Sequence, residues 1–255
     1  MAFVPPGAGY DRAITIFSPD GKLFQVQYAQ EAVRRGKTAL GVKCVDGVVL
    51  AVERKVTNSL VEPKSIEKIF QIEQHIGAAT SGLVADARVL VDYARIRSQI
   101  HRLTYDEPIS VATLAKEIGD YKQMHTQYGG VRPFGAALLI AGVNGHGCHL
   151  FNTDPSGALY EYKAWAIGIG QVAAVETLEK NYRKDITLEE GIKLALRALR
   201  EATEAELLEY NIEMAVIRAD THQFERMDPK VVKSYIDQLN RELGKKEKES
   251  GEEDE

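Results

Sequence analysis

The chain has 255 residues, 44% of them hydrophobic, and a formal net charge of −5 with no basic block to offset it. A chain of that length can bury roughly 70–75% of its unfolded surface in one domain, and its acidic balance argues against a nucleic-acid-binding surface. No apolar run approaches the ~20 residues that cross a bilayer. The start, MAFVPPGAGY, lacks the charged head and apolar core of a signal peptide. Cys44 and Cys148 form no CxxC pair and fit a reducing compartment. A soluble, cytoplasmic protein is expected.

Residues 1–9 are small, apolar and proline-interrupted. Ala13 to Phe17 reads as extended, and Ser18-Pro19-Asp20-Gly21 as a turn. From Leu23 to Arg35 the apolar residues Leu23, Val26, Ala29, Ala32 and Val33 recur at helical spacing. Arg34 and Arg35 suit the last turn of that helix, and Gly36 the position past its end. Thr38–Val45 and Gly47–Val56 are β-rich runs joined at Asp46-Gly47, a preferred hairpin turn. Ser65–Ile72 and His75–Thr80 read as a second strand pair. Ser81 then reads as the cap of a long helix. Its apolar rows, Leu83, Ala87, Leu90 and Ala94 beside Val89, Tyr93, Ile96 and Ile100, predict a wide buried face between layers.

A second helix begins near Ser110 and carries Val111, Leu114, Ile118 and Tyr121. Phe134–Val143 is an apolar strand that turns at Asn144-Gly145 and returns as His149–Asn152. After a turn at Asp154-Pro155-Ser156-Gly157 come short strands near Tyr160 and Ala164–Ile167, then helices over Gln171–Tyr182 and Leu188–Leu208. Asn211–Arg218 and His222–Arg226 form a last strand pair. Asp228-Pro229 opens a final helix through Leu243. The charged tail, GKKEKESGEEDE, is expected to be disordered. Strands in hairpins and helices in sequential pairs predict an α+β protein, a four-layer αββα sandwich with an N-terminal helix extension.

Four blocks carry a family resemblance. YDRAITIFSPDGKLFQVQYAQEAV resembles the N-terminal signature of proteasome α-type subunits of the archaeal kind. TSGLVADARVLVDYAR at 80–95, TQYGGVRPFGAALLIAG at 126–142 and TDPSGALYEYKAWAIGIG at 153–170 are similar to further blocks of that family. The resemblance runs from about Gly9 to Gln238. It implies a division into a gate segment and ring-contact helix (1–36), an αββα domain (37–243) and a charged tail (244–255). It also implies a seven-membered ring of α subunits stacked on catalytic β-type rings. Unfolded polypeptide would pass through that ring toward degradation, which is ubiquitin-independent or driven by an activator ATPase. Neither nucleic acid nor membrane is an expected partner.

In the catalytic relatives, the resemblance implies, a Gly–Thr bond breaks and the freed threonine supplies both nucleophile and amine base. Here Gly36 is followed by Lys37, and alignment on Gly41 puts Lys37 where that threonine would fall. Lysine's ordinary pKa of about 10.4 keeps it protonated. Ser81-Gly82 forms no GxSxG elbow, and Glu53, Arg54 and Lys55 read as a partly solvated strand edge. No catalytic residue, cofactor or metal is assigned.

From the residues alone, Tyr10-Asp11-Arg12 reads as a solvated turn, Lys68 as a solvated strand lysine and Tyr128–Val131 as an ordinary loop or a pore element. The resemblance implies more. It makes Tyr10, Asp11, Arg12, Pro19 and Tyr28 a gate cluster. It makes Lys68, with Gly36 and Leu23, a pocket for the C-terminal carboxylate of an activator ATPase tail. It makes Tyr128, Gly129, Gly130 and Val131 the loop that narrows a central pore. His146, Cys148 and His149 cannot converge as three ligands, because alternate residues of a strand face opposite ways. Gly168-Ile169-Gly170 lacks the third glycine of a dinucleotide fingerprint, and Trp165 reads as core. Two other readings stay open: an amidohydrolase of the same fold exposed by processing near Lys37 or Thr38, and a free-standing scaffold.

Overall fold

The computed structural model describes residues 13–54, 60–62, 65–203 and 207–252, so Tyr10, Asp11, Arg12 and Lys55 lie outside the described residues. In chain order the elements are α1 (Phe24–Arg34), β1 (Ala39–Lys43), β2 (Gly47–Glu53), β3 (Ile69–Glu73), β4 (Ile76–Gly82), α2 (Val84–Tyr105) and α3 (Val111–Met124). Then come β5 (Ala136–Asn144), β6 (Gly147–Thr153), β7 (Leu159–Glu161), β8 (Ala164–Ile167), α4 (Gln171–Asn181) and α5 (Leu188–Ala202). The last three are β9 (Ile212–Arg218), β10 (Phe224–Arg226) and α6 (Pro229–Glu252).

The strands form two antiparallel five-stranded sheets, ordered β10-β9-β2-β1-β8 and β3-β4-β5-β6-β7. The predicted hairpins close where turn chemistry puts them. Lys43 stands opposite Val48 across Asp46-Gly47, and Asn144 opposite Gly147, whose φ of +109° suits a residue without Cβ.

Side-chain alternation then divides the interior into three cores. Val49, Ala51, Met214 and Val216 face α4, α5 and α6, while Val48, Leu50, Ala215 and Ile217, on the same strands, face the other sheet. In the second sheet Leu138 and Ile140 meet α2 and α3, whereas Leu139 and Ala141 meet the first sheet. Both faces of both sheets are covered. The central strands therefore read as unbroken apolar runs rather than alternating ones, and each Leu, Ile or Val so buried contributes about 1.5–3 kcal/mol. This is the expected αββα sandwich.

Helix α1 buries Val26, Ala29 and Val33 and lies across β4 and β5. Helix α3 is capped as expected, the Ser110 hydroxyl accepting from Thr113 N. Helix α5 opens with a capping box: the Thr187 hydroxyl accepts from Glu190 N, and the Glu190 carboxylate accepts from Thr187 N at 3.0 Å.

Four expectations are corrected. Ser81 does not cap α2. It belongs to β4, whose ladder with β5 runs on to Gly82 opposite Ala136, and the residue preceding the helix is Leu83. Helix α2 buries one row only, because a single sheet lies beneath it; Val89, Ile96 and Ile100 are 50%, 59% and 44% exposed. Helix α5 stops at Ala202, where Thr203 turns extended with φ −121° and ψ 128°. Helix α6 continues to Glu252, into the segment expected to be disordered. Extending a docked helix needs no new nucleation, and Lys and Glu propagate helices well.

Both sheets end in very short strands. The three residues of β10 close one edge of the first sheet, and the three of β7 close one edge of the second.

Candidate functional site

The end of α1 runs into the sandwich at Gly36. Gly36 N donates to Val33 O at 2.9 Å, closing the helix, and Gly36 O accepts from Ile169 N at 2.8 Å. Gly36 is not among the positive-φ glycines, so the left-handed cap is not its reason for being there. A Cβ at that position would collide with Gly82 N and Ser81 Oγ. Close backbone approach is what requires the glycine.

The next two residues are held from all sides. Ser81 Oγ stands 3.0 Å from Lys37 O and 3.2 Å from Val33 O, and donates its one proton to this pair. Thr38 is fully buried, and its hydroxyl accepts from Gly170 N at 3.1 Å. Gly168, with φ +97°, passes so close that a Cβ there would lie 2.6 Å from Lys37 O. Lys37 stands where the resemblance would put a catalytic threonine, and its nitrogen forms the peptide bond to Gly36.

Charged side chains gather beside this crossing. Lys37 Nζ lies 2.9 Å from Glu53 Oε1, with the Glu53 side chain only 9% exposed. Glu53 is thus no solvated edge, since β2 is the central strand of its sheet. Lys68 is no solvated lysine either: it is buried, at 8% exposed. Its backbone N–H donates to Glu213 Oε2 at 3.4 Å and its carbonyl accepts from Thr80 N at 3.0 Å. Among the described residues no side chain hydrogen-bonds its ammonium. Burial pushes the Lys68 pKa down and neighbouring Lys37 adds to this, against the attraction of Glu53 and Glu213. Glu213 is itself pushed up by burial, opposed first by Arg226, which pairs with it and with Glu67. Glu53 thus has two lysine neighbours: Lys37, paired with it and partly exposed, and Lys68, buried and with no side-chain hydrogen bond to its ammonium among the described residues.

Of the other two residues expected in the pocket, Gly36 sits at this crossing, whereas Leu23 precedes α1 at its far end. Eleven residues of helix separate them by roughly 17 Å at about 1.5 Å per residue. One chain therefore does not bring Leu23 and Gly36 to the same small ligand.

The residues expected to form a gate, where described, sit on the surface. Pro19 lies in the predicted turn, with Gly21 N donating to Ser18 O at 2.8 Å. Tyr28 is 54% exposed and stacks on Phe24. The loop after α3 projects Tyr128 and Val131, both exposed, and of its two glycines Gly130 takes the positive φ, +87°. On the far side of that loop Arg132 grips Asp86 with both Nη atoms, at 2.6 and 2.8 Å. The Arg132 hydrogen bond holds the Asp86 carboxyl below the ordinary range, burial opposing and Gly135 N–H adding to it. His149, set aside as a ligand, pairs with Glu161 and Asn144.

Sequence reasoning missed the burial of Glu53, the Asp86–Arg132 clamp and Lys122, a fully buried lysine on α3. A signal for Lys122 existed, because it falls four residues after Ile118 on the apolar stripe of that helix.

The architecture places the molecule in the class of αββα, N-terminal-nucleophile-type sandwiches. Residues 33–217 match the family described as proteasome subunit, and residues 10–32 match the N-terminal signature of A-type proteasome subunits. Proteins named as the alpha subunit of the proteasome resemble it along nearly their full length. The one from Methanothermobacter thermautotrophicus is 59% identical, covering 96% of this chain and 98% of the relative. Those from Thermococcus sibiricus and Pyrococcus abyssi are 59% and 58% identical, each over 100% of this chain and 97% of the relative. The chain belongs to the proteasome subunit family, in its α-type branch.

Proposed function

We propose that this α subunit is a structural and gating component of the 20S core without a catalytic centre of its own. Seven copies form the outer ring on β-type rings in the cytoplasm, and unfolded polypeptide passes through to hydrolysis in the β-type partner. Tyr10, Asp11, Arg12, Pro19 and Tyr28 form the gate cluster, with Tyr128–Val131 as the constriction. Residues 1–36 act as gate segment and ring contact, 37–243 as the sandwich, and 244–255 as the charged tail. Lys37 in place of threonine, with its carbonyl bonded by Ser81, supports retention of the leader and argues against an N-terminal nucleophile.

The single observation that carries the docking role is Lys68: a buried lysine whose ammonium takes no side-chain hydrogen bond among the described residues, a charge suited to the carboxylate of an activator tail. Leu23 and Gly36, at opposite ends of α1, join one pocket when neighbouring copies each supply one end. The test is Lys68→Ala in the assembled core, with a synthetic activator-tail peptide as probe. Stimulation of peptide hydrolysis should fall at least tenfold while basal hydrolysis persists. Normal stimulation would remove Lys68 from the pocket. Loss of about 36 residues from the intact chain mass would overturn the non-catalytic reading.

A further inference from the structure

The last turn of α3 leads directly into the Tyr128–Val131 loop, and it holds a wholly buried lysine. Lys122 is 0% exposed. Its Nζ donates to Ala136 O at 3.1 Å and to Thr153 O at 2.8 Å, joining the start of β5 to the end of β6. Two carbonyls match the two N–H bonds of a neutral amine. An ammonium would carry a third N–H, and no third hydrogen bond from Nζ forms among the described residues.

The charged group facing Lys122 is Asp154, on the turn after β6. Its carboxylate is already engaged by Gln30 Nε2 at 2.8 Å and by the Ser156 hydroxyl and the N–H groups of Ser156 and Ala158. On α3 itself, Tyr121 stacks on Tyr93 and His125 bonds Tyr121 O. β5 contributes no titratable side chain, and on β6 His149 and Cys148 lie toward the other end of the strand. The outgoing stem of the loop is fixed differently, by the ionic Asp86–Arg132 clamp and by Gly135 N on Asp86 Oδ2 at 2.8 Å.

We propose that Lys122 is a positioning residue for this loop: as a neutral amine it pins the end of α3 to both strands, and proton uptake on opening frees the loop. Only the consequence for transport rests on reading the loop as the pore constriction.

Burial drives the Lys122 pKa down to about 7, with Asp154 opposing. Opening returns the side chain to water, where lysine's pKa is about 10.4. The open form therefore binds more protons between those values. Opening becomes rarer by up to tenfold for each pH unit raised above about 7, and is level below it.

The test is hydrogen exchange of amides 123–135 in the assembled ring at pH 7 and pH 9, corrected for intrinsic chemistry. Protection in the wild type should rise about 50-fold at the higher pH, and Lys122→Met should abolish that rise. Equal protection at both pH values, or the same rise in the methionine variant, overturns the proposal. If that variant does not assemble, the wild-type profile and Lys122→Leu decide it by the same criteria. Entry of an unfolded polypeptide is followed in parallel. A pH response in exchange without one in entry upholds the role of Lys122 and overturns the pore reading.

Discussion

Gly36 is set by what passes over it. Its neighbours, Gly82 N and Ser81 Oγ, are backbone and a hydrogen-bonded side chain, so neither can swing aside for a methyl group. Gly36→Ala should destabilise the fold by about 1–3 kcal/mol, measurable as a lowered denaturation midpoint at unchanged slope. The position was legible as a helix end, but the reason for glycine was not. It depends on β4 and on Gly168, which lie far away in sequence. Lys68 and Glu53 carry the same lesson. A single charged residue at the end of an apolar run looks like the start of solvent, and only the layer packed above it shows that it is buried. Lys37, by contrast, could be read from its order after Gly36 alone.

Helices illustrate a second limit. Periodicity identified α2 and its inner row correctly, yet it could not count the layers resting on the helix. The outer row of Val89, Ile96 and Ile100, with Leu103 beyond, stays exposed on the isolated chain, a larger apolar stripe than a solitary helix face needs. Ile96→Glu should leave the stability of the chain within about 0.5 kcal/mol while sharply reducing co-assembly with the proposed β-type partner, as read by circular dichroism and native mass spectrometry. Unaltered assembly would show the stripe to be idle. Helix caps were easier where side chain and backbone are neighbours, as at Ser110. Ser81 misled because serine also serves a strand that ends beside another backbone. The termini of α5 and α6 escaped because propensity cannot tell where docking ceases to hold a helix.

For the molecule as a whole, hairpin turns and paired helices sufficed to read four layers, since those signals are local. Strand order was not legible, because β9 joins β2 across more than 150 residues of sequence and no local signal records that pairing. The proposed gate makes its prediction at this scale. Removing residues 2–12 should raise basal peptide hydrolysis by the assembled core several-fold without altering the chain's melting temperature, and an unchanged rate would refute it. A last consequence follows from the three-residue strands at the sheet margins. They end in charged residues, Glu161 on β7 and Glu225-Arg226 on β10, and offer too few free backbone groups to template another strand. At these two margins, copies of this chain would meet through side chains and loops rather than by strand addition, and contacts of fixed angle let an assembly close on itself. A head-to-tail contact built on open sheet edges could instead grow without limit into a fibre.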